Sequence, residues 1–314
     1  QVSGSSEEKK IICRSFLNPI TPMNKRHQFT YEPQVPTQAI FQLLLVAGYL
    51  FWLETCGQSF WELMLQSFSF QQVWIGGGFL AYLFWFWAWA TPYLILDQLQ
   101  QPYWLYRHKI QKPGTAVTKR RLAWTVAVVL FNQFAGTLPV LYCLYQNLVG
   151  RGMAAFSDVP RWWTVLLHLA LSLAMEEVLF FCVHYTLHSK FLYVRFHKMH
   201  HEYKESIAIT THYVHYVEHL FGNLMPIFAG TLLLGAQAHL LSLLLWILLA
   251  VQNALGTHSG YNFPWLNYAV DHDFHHYNYV GNYGVGLGMD WLFGTDVLED
   301  TFGRQYKDQA GKKD

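Results

Sequence analysis

Residues 161–188 of the chain read RWWTVLLHLALSLAMEEVLFFCVHYTLH. A predominantly apolar run over about 162–183 leads directly into His184 and His188. Because an α-helix rises about 1.5 Å per residue, roughly 20 apolar residues are enough to cross a bilayer. Histidines at positions i and i+4 lie on one face of a helix, one turn apart. The stretch therefore predicts a membrane span that carries two imidazoles at its end.

Other apolar segments extend this prediction. Three more are long enough, or nearly long enough, to cross a bilayer: about 39–54, 73–96 and 122–147. The first is the weakest, because it is short and contains Gln42. A later stretch at about 220–253 is interrupted by Gly235, Gln237 and His239, which predicts a hairpin that enters and leaves on the same side. With 53% hydrophobic and only 13% charged residues, we expect an all-α integral membrane protein with about four transmembrane helices.

Basic residues predict the orientation of these spans, because cytosolic loops carry an excess of Lys and Arg. The loop between the second and third spans has six: Arg107, Lys109, Lys112, Lys119, Arg120 and Arg121. The preceding loop has none, and the following loop has only Arg151 and Arg161. This alternation places the N-terminus and the chain after residue 184 in the cytosol. The net charge of +1 argues against a nucleic-acid-binding protein.

The pattern divides the chain into four regions. We expect a cytosolic N-terminal segment, a set of transmembrane helices, a histidine-rich region that includes the membrane hairpin, and a polar C-terminal tail. Their bounds are 1–38, 39–183, 184–300 with the hairpin at about 220–253, and 301–314.

Histidine is the anomaly of the composition: there are 16, and most lie between His184 and His276. Eight of them form boxes with helical spacing: His184 and His188; His197, His200 and His201; His272, His275 and His276. Neutral imidazole is a good ligand for Zn, Cu, Fe and Ni. A structural zinc takes four ligands and a catalytic zinc three, so eight boxed histidines indicate two metal ions. The alternative, a solvated histidine-rich surface, does not explain the helical spacing.

Six motifs between about Glu177 and Asp296 resemble a known family. They are HYTLH at 184–188, FHKMHHE at 196–202, THSGY at 257–261, HDFHH at 272–276, NYG at 282–284 and GTD at 294–296. The sequence resembles the membrane fatty acid hydroxylase and sterol desaturase superfamily, with its closest likeness to C4-methylsterol monooxygenases and fatty-acid-hydroxylase-domain proteins.

The resemblance implies a four-span helical membrane anchor and a cytosolic histidine-rich cap with two iron ions. In that family the boxed histidines bind the metals, and His258 matches a further ligand position. The resemblance also implies O2 as co-substrate, electrons from NAD(P)H through cytochrome b5 and its reductase, and an endoplasmic reticulum membrane location. Three departures leave the substrate open: Tyr185 after the first histidine, Asn262 in place of an acidic residue, and no proline in the segment from Val214 to Glu218.

Carboxylates near the boxes are candidates to support the ligands, because metal-bound imidazoles usually donate their other N–H to a carboxylate or carbonyl. Seven acidic residues qualify: Glu176, Glu177, Glu202, Glu218, Asp271, Asp273 and Asp290. Glu177 is preferred, because it shares a helix face with His184 and an acid within a span costs about 2.5–3.5 kcal/mol. Asp273 lies on a different face from His272 and is either a supporting residue or solvated.

Two positions stay open for a tenth ligand. Asn262 follows His258 by four residues, so both would face one metal if that segment were helical; the alternative is a turn residue. His215 and His219 form another i, i+4 pair, with His212 just before them. The resemblance favours His215, either as a ligand or as a contact to ligands or substrate.

These features predict an O2-dependent di-iron monooxygenase that hydroxylates an unactivated C–H bond of a membrane lipid. A sterol C4-methyl group is the first candidate, and hydroxylation of a fatty acyl chain or sphingoid base, or sterol desaturation, is the alternative. A metal transporter or a non-catalytic metal-stabilised scaffold are alternatives from other classes. A transporter would place histidines within the spans, whereas only His168 lies well inside one.

Overall fold

A computed structural model describes residues 35–111, 117–155, 158–266, 269–286 and 288–296. Over these ranges the chain is helical, and six helices are long and apolar enough to cross a bilayer. They are α1 (Ala39–Ser67), α2 (Gln72–Leu99), α3 (Lys119–Gly150), α4 (Trp162–Leu187), α5 (Tyr216–Gln237) and α6 (Leu240–His258). The chain is therefore an all-α, multi-pass membrane protein. Most of the predicted N-terminal segment, Lys112 and the predicted C-terminal tail lie outside the described residues.

The predicted hairpin at about 220–253 is the pair α5 and α6, joined by a tight turn at Gly235–Gln237. The interruption noticed in the sequence is this turn. His239 begins α6, where its Nδ1 accepts a hydrogen bond from the backbone N–H of Leu241 at 3.1 Å. Gln42, which weakened the prediction of α1, donates a hydrogen bond to Gln252 of α6. A polar side chain within a span is tolerated when it is paired in this way.

Contacts between loops divide the protein into two ends. At one end, the loop after α2 contacts the histidine-rich segments, and Arg121 donates a hydrogen bond to the carbonyl of Glu202 at 2.7 Å. At the other end, the backbone N–H of Trp162 donates to Glu54 at 3.1 Å, and Arg151 donates to the carbonyl of Leu232. The basic loop and the histidine boxes therefore lie at the same end of the protein.

The end that carries the histidines is completed by short helices. The second histidine box lies within two irregular turns, a π-helical turn at Tyr193–His197 and a 3₁₀ turn at His200–Glu202. After α6, helix α7 (Val270–Asn278) carries the third box, and helix α8 (Met289–Phe293) follows it. The first box ends α4, so three separate elements bring the boxes to one place.

A buried ion pair between Lys109 and Asp97 of α2 lies against the turn that follows α6. Lys109 donates to Asp97 at 2.8 Å, to the carbonyl of Ser206 at 3.2 Å and to the carbonyl of Ser259 at 2.8 Å. The hydroxyl of Tyr261 also donates to Asp97, at 2.9 Å. Gly260 has φ of +68°, and a Cβ there would lie 3.2 Å from Nζ of Lys109. This network fixes the turn that directly follows His258.

Replacing Lys109 with methionine should destabilise the protein by about 3–5 kcal/mol, because the substitution leaves the Asp97 carboxylate buried without its cation. The thermal unfolding midpoint of the detergent-solubilised protein measures the effect. The control is the double variant Lys109→Met with Asp97→Asn, which removes both charges and keeps an acceptor for Tyr261. It should recover a large part of the loss, and equal instability of the two variants would contradict an electrostatic role.

Candidate metal centre

Nine imidazoles gather in two adjacent groups at the end of the helical bundle. The first group is His184, His188, His197, His201 and His275, and the second is His200, His258, His272 and His276. Within each group the ligand atoms all lie within 4.8 Å of one another, and all nine residues are buried. The structure thus brings together the eight boxed histidines and His258.

The boxes divide between the groups in a regular way. Each i, i+4 pair stays together, so His197 and His201 join the first group while His272 and His276 join the second. The i+3 histidine of each box joins the other group: His200 lies with the second and His275 with the first. Each HxxHH box therefore supplies both groups, a division that the expectation of one shared helix face did not include.

The ring nitrogens within each group converge. The Nε2 atom of His197 lies 2.9 Å from that of His188 and 3.0 Å from that of His201. In the second group, Nε2 of His272 lies 2.8 Å from that of His258 and 3.1 Å from that of His276. Two nitrogens bonded at right angles to one metal, at about 2.1 Å each, are about 3.0 Å apart. The spacing fits imidazoles that share a metal ion.

The opposite ring nitrogens indicate which tautomer is present. Nδ1 of His184, His258 and His275 donate to the backbone carbonyls of Tyr283, Ala254 and Gly281 at 2.7, 2.8 and 2.7 Å. A neutral imidazole has one N–H, so the Nε2 atoms of these three residues carry lone pairs. Lone pairs that converge inside a buried group repel one another unless a cation lies between them. The residues therefore fit two metal ions.

Glu218 is the carboxylate that contacts a histidine of these groups. Its Oε1 accepts a hydrogen bond from Nδ1 of His197 at 2.6 Å, and both residues are buried. The sequence placed Glu218 among seven acidic candidates but favoured Glu177. In the sequence, Glu218 is an acidic residue near the start of the apolar segment that forms α5. A buried acid in such a position needs a partner, which could have identified it.

Burial also sets the protonation state of the histidines outside the spans. It lowers the pKa of these residues well below the usual value of 6.5, and their neighbouring imidazoles lower it further: His188, His197, His200, His201, His272, His275 and His276. They are therefore neutral near pH 7. Neutral imidazole is the form that binds a metal ion.

Substituting Glu218 by glutamine should weaken metal binding by about 10–100-fold, because removing the carboxylate that orients a ligand imidazole has this effect in other metal sites. The fold should be retained, because the amide keeps the shape of the side chain. Metal retained during titration with a chelator measures the change. A suitable control is Glu202→Gln, since the Glu202 side chain accepts a hydrogen bond from Tyr213 at 2.8 Å instead. Equal metal loss in both variants would contradict the role of Glu218.

Glu177, the carboxylate favoured by the sequence, contacts backbone instead of an imidazole. Its Oε1 accepts a hydrogen bond from the backbone N–H of Met289 at 2.8 Å. Asp290 in the same region accepts hydrogen bonds from the N–H groups of Tyr283 and Gly284, at 2.8 and 2.6 Å. Since the carbonyl of Tyr283 accepts from His184, Glu177 and Asp290 act on the ligands through this loop.

Asp273 is buried, so the expectation that it could be solvated was wrong. Its Oδ2 accepts a hydrogen bond from Gln111 at 2.9 Å, and burial raises its pKa to about 7. Asn262 does not lie in a helix, because α6 ends at His258 and the chain turns at Gly260. The backbone N–H of Asn262 donates to the carbonyl of His108 at 3.0 Å. The helical spacing that would have aligned Asn262 with His258 is therefore absent.

The three other histidines considered as ligands lie outside both groups. His215 caps the start of α5, where its Nδ1 accepts from the N–H of Val217 at 3.1 Å. Nδ1 of His212 lies 3.1 Å from the hydroxyl of Tyr82, and Nε2 of His219 lies 3.0 Å from the hydroxyl of Thr137. Each of these three histidines is therefore held by a hydrogen bond to another protein group, His215 within its own turn and His212 and His219 to other helices.

A cavity of about 490 Å³ opens from the histidine groups into the space between the helices. Imidazoles of both groups line it, including His184, His197 and His258. Its walls continue along α4, α5 and α6 and include Phe180, Ile227 and Val251. A mainly apolar cavity of this size is typical of small-molecule sites, and this one connects the histidines to the membrane part of the protein.

Comparisons with known proteins agree with this architecture. The fatty acid hydroxylase family profile matches residues 169–295. Fatty acid hydroxylase domain-containing protein 2 of Homo sapiens is 33% identical over 256 residues, which cover 80% of this chain and 74% of that protein. Methylsterol monooxygenase 2-2 of Arabidopsis thaliana is 32% identical over 252 residues, which cover 76% of this chain and 91% of that protein.

A third relative carries a different activity in its name. Very-long-chain aldehyde decarbonylase GL1-8 of Oryza sativa subsp. japonica is 32% identical over 251 residues, which cover 76% of this chain and 91% of that protein. No solved structure matches the chain. Identity above 30% over most of both lengths, together with the profile match across the histidine boxes, shows that the chain belongs to the fatty acid hydroxylase family.

Proposed function

We propose that this protein is an O2-dependent di-iron lipid hydroxylase of the membrane. The observation that carries the proposal is the arrangement of nine buried imidazoles in two groups at the end of an apolar cavity. The five-histidine group would hold one iron and the four-histidine group the other. When bound, the iron ions would supply the activation of O2 for attack on an unactivated C–H bond.

The residues of the chain would orient the metal ligands and position the lipid. Glu218 and the carbonyls of Ala254, Gly281 and Tyr283 hold ligand imidazoles in one tautomer and orientation. The cavity would exclude water and bring a lipid from the bilayer to the histidines, with the apolar walls along α4 to α6 contacting its hydrocarbon part. These are the contributions that a protein makes when a metal centre carries out the difficult chemistry.

A sterol with a C4-methyl group is the proposed substrate. The identity of 32% to methylsterol monooxygenase 2-2 supports it. A fatty acyl chain or sphingoid base is the alternative; the human relative is named for a fatty acid hydroxylase domain and the rice relative for a very-long-chain aldehyde. Sterol and lipid profiling of cells that lack the protein tests the choice. Accumulation of C4-methylated sterols, reversed by the wild-type chain and not by a His272→Ala variant, is the expected result, whereas accumulation of an unhydroxylated acyl or sphingoid lipid would favour the alternative.

The alternatives from other classes, a metal-stabilised scaffold and a metal transporter, predict no lipid product. Purified, iron-loaded protein supplied with O2, a reductant and a C4-methylated sterol should form an oxygenated sterol. Carrying out the same assay without O2 provides the control. Protein that retains its metal and forms no product from any of the three lipid classes would favour the scaffold.

We further propose that the protein lies in the endoplasmic reticulum membrane with its histidine groups on the cytosolic side. There they would receive electrons from NAD(P)H through cytochrome b5 and its reductase. The support is the basic loop between α2 and α3, which lies at the same end as the histidines. Cytosolic loops carry an excess of basic residues, so this end would be the cytosolic one, and an electron carrier in the cytosol can reach only the cytosolic side of the membrane.

An inserted N-glycosylation acceptor tests this orientation. An acceptor placed between Ala154 and Ala155, in the loop between α3 and α4, should be glycosylated in microsomes, because that loop lies at the opposite end from the histidines. The same acceptor placed within residues 112–116 should not be. The reverse pattern would contradict the orientation and leave the lipid hydroxylase proposal to the assays above.

A further inference from the structure

Glu176 is an acidic residue within a membrane span whose side chain lines the cavity. It lies on α4 together with Phe180 and His184, which line the same cavity. Eight residues separate Glu176 from His184, which corresponds to a rise of about 12 Å along the helix. One lipid molecule in the cavity would therefore reach both the histidine groups and the carboxyl group.

Glu176 differs from its neighbour in having no partner among the residues that the structure describes. Glu177 binds the backbone N–H of Met289. Within the described part of the chain, Glu176 forms no hydrogen bond or ion pair. Other polar residues of the cavity wall have internal partners, such as Asn223, which donates to the carbonyl of Thr211 at 3.0 Å, and Thr257, which donates to the carbonyl of Ala254 at 3.1 Å.

An acid in a span is costly and is expected to have a functional partner. Since the described protein supplies none, the partner is best sought in what fills the cavity. Resting on the proposed function, we propose that Glu176 binds a hydroxyl group of the lipid substrate. The substrate class is thus a lipid alcohol, either a sterol or a long-chain hydroxylated lipid, instead of a plain hydrocarbon or a fatty acid.

The chemistry of the carboxyl group selects a hydroxyl. A hydroxyl both donates and accepts, so it pairs with Glu176 whether the carboxyl is ionised or protonated. A carbonyl only accepts and would require the protonated form. The carboxylate of a fatty acid would lie beside Glu176 and Glu177, where like charges in a low dielectric repel strongly. A hydroxyl therefore pairs with the site in both protonation states of Glu176, whereas a carbonyl or a fatty-acid carboxylate does not.

Binding measurements on the purified full-length protein test the proposal without turnover. Two pairs of probes separate the possible sources of the hydroxyl: cholesterol against 3-deoxycholesterol, and 1-octadecanol against octadecane. Loss of one hydrogen bond to a carboxyl group should weaken binding by about tenfold. The wild-type protein should therefore bind the alcohol of at least one pair about tenfold more tightly than its partner, and the pair that shows this identifies the class of lipid.

Two variants identify the residue responsible. Glu176→Gln should keep the preference for the alcohol, because an amide also pairs with a hydroxyl, while Glu176→Leu should remove it and leave binding of the hydrocarbon unchanged or tighter. Phe180→Leu, a change in the same wall, is the control that should keep the preference. Wild-type protein that shows no preference in either pair, or a Glu176→Leu variant that keeps it, overturns the proposal.

If the leucine variant does not fold, the wild-type comparison can still overturn the proposal, because wild-type protein without any preference for the alcohol would contradict it. Failure of the proposed function would be recognised separately, because it would leave the binding preference intact and remove only the O2-dependent product.

Discussion

Replacing His272 with alanine should lower the iron content from two ions per chain to about one and reduce lipid product formation by about 100-fold or more. His272 is one of only four imidazoles in the second group, and its Nε2 lies 2.8 Å from that of His258. Since losing a residue that merely orients a ligand costs 10–100-fold in metal affinity or activity, losing a ligand should cost at least as much. Iron quantification and product analysis on the same preparation measure both effects.

The matched control is His108→Ala. His108 lies outside both groups, and its side chain packs against Phe263 with ring centroids 5.5 Å apart. This variant should retain two irons and its activity. If His272→Ala also kept two irons, the second group would not be a metal site, and the proposed division of the histidines would be wrong.

The second large effect concerns the packing of α4 against α5. Gly230 on α5 lies against α4, so that a Cβ added there would lie 2.5 Å from Cα of Ser172. Real Cβ atoms do not come so close to backbone, so Gly230→Ala would force the two helices apart. Overpacking of this kind costs about 1–3 kcal/mol and occasionally more, and α4 carries His184 and His188. We expect a lower unfolding midpoint in detergent and weaker metal retention.

Gly76→Ala is the control for this prediction. A Cβ at Gly76 would meet nothing within 4 Å, and alanine is the better helix former. The variant should therefore be as stable as the wild type or slightly more stable. Equal destabilisation by both substitutions would show that loss of glycine flexibility, and not the contact with Ser172, is responsible.

The sequence predicted the all-α membrane architecture, because hydrophobic length is a local pattern, and the helical spacing of the histidines indicated which of them to consider as ligands. Hydrophobic length identified α1 to α4, and Gly235, Gln237 and His239 located the turn between α5 and α6. All nine histidines singled out from the sequence lie in the two groups. Their role as iron ligands is a proposal that rests on this convergence.

The division of the boxes could not be predicted from spacing. An i, i+3, i+4 set on a helix shares one face, yet both HxxHH boxes divide: the second lies in a π-helical turn followed by a 3₁₀ turn, and the third lies on the α-helix α7. His200 and His275 reach the opposite groups because three elements, distant in sequence, pack together at one end. Helical periodicity contains no information about such packing.

Hydrogen bonds between residues that are distant in sequence could not be predicted from the sequence either. Glu218 and His197 are 21 residues apart and Gln111 and Asp273 are 162 apart, so their pairing depends on the fold. Glu177 was preferred because it shares a helix face with His184, yet it binds the loop that supports that histidine. Helix geometry correctly placed Glu177 near the metal ligands, but it did not predict that Glu177 contacts backbone instead of an imidazole.

The central claim is tested most directly by counting metal ions on the full-length protein purified from a native-like host membrane, with O2-dependent product formation measured on the same sample. Two groups of imidazoles predict two metal ions per chain. The proposed function predicts that these ions are iron and that an oxygenated lipid forms only when O2 is present. Fewer than one metal ion per chain, or zinc without any O2-dependent lipid product, would contradict the account.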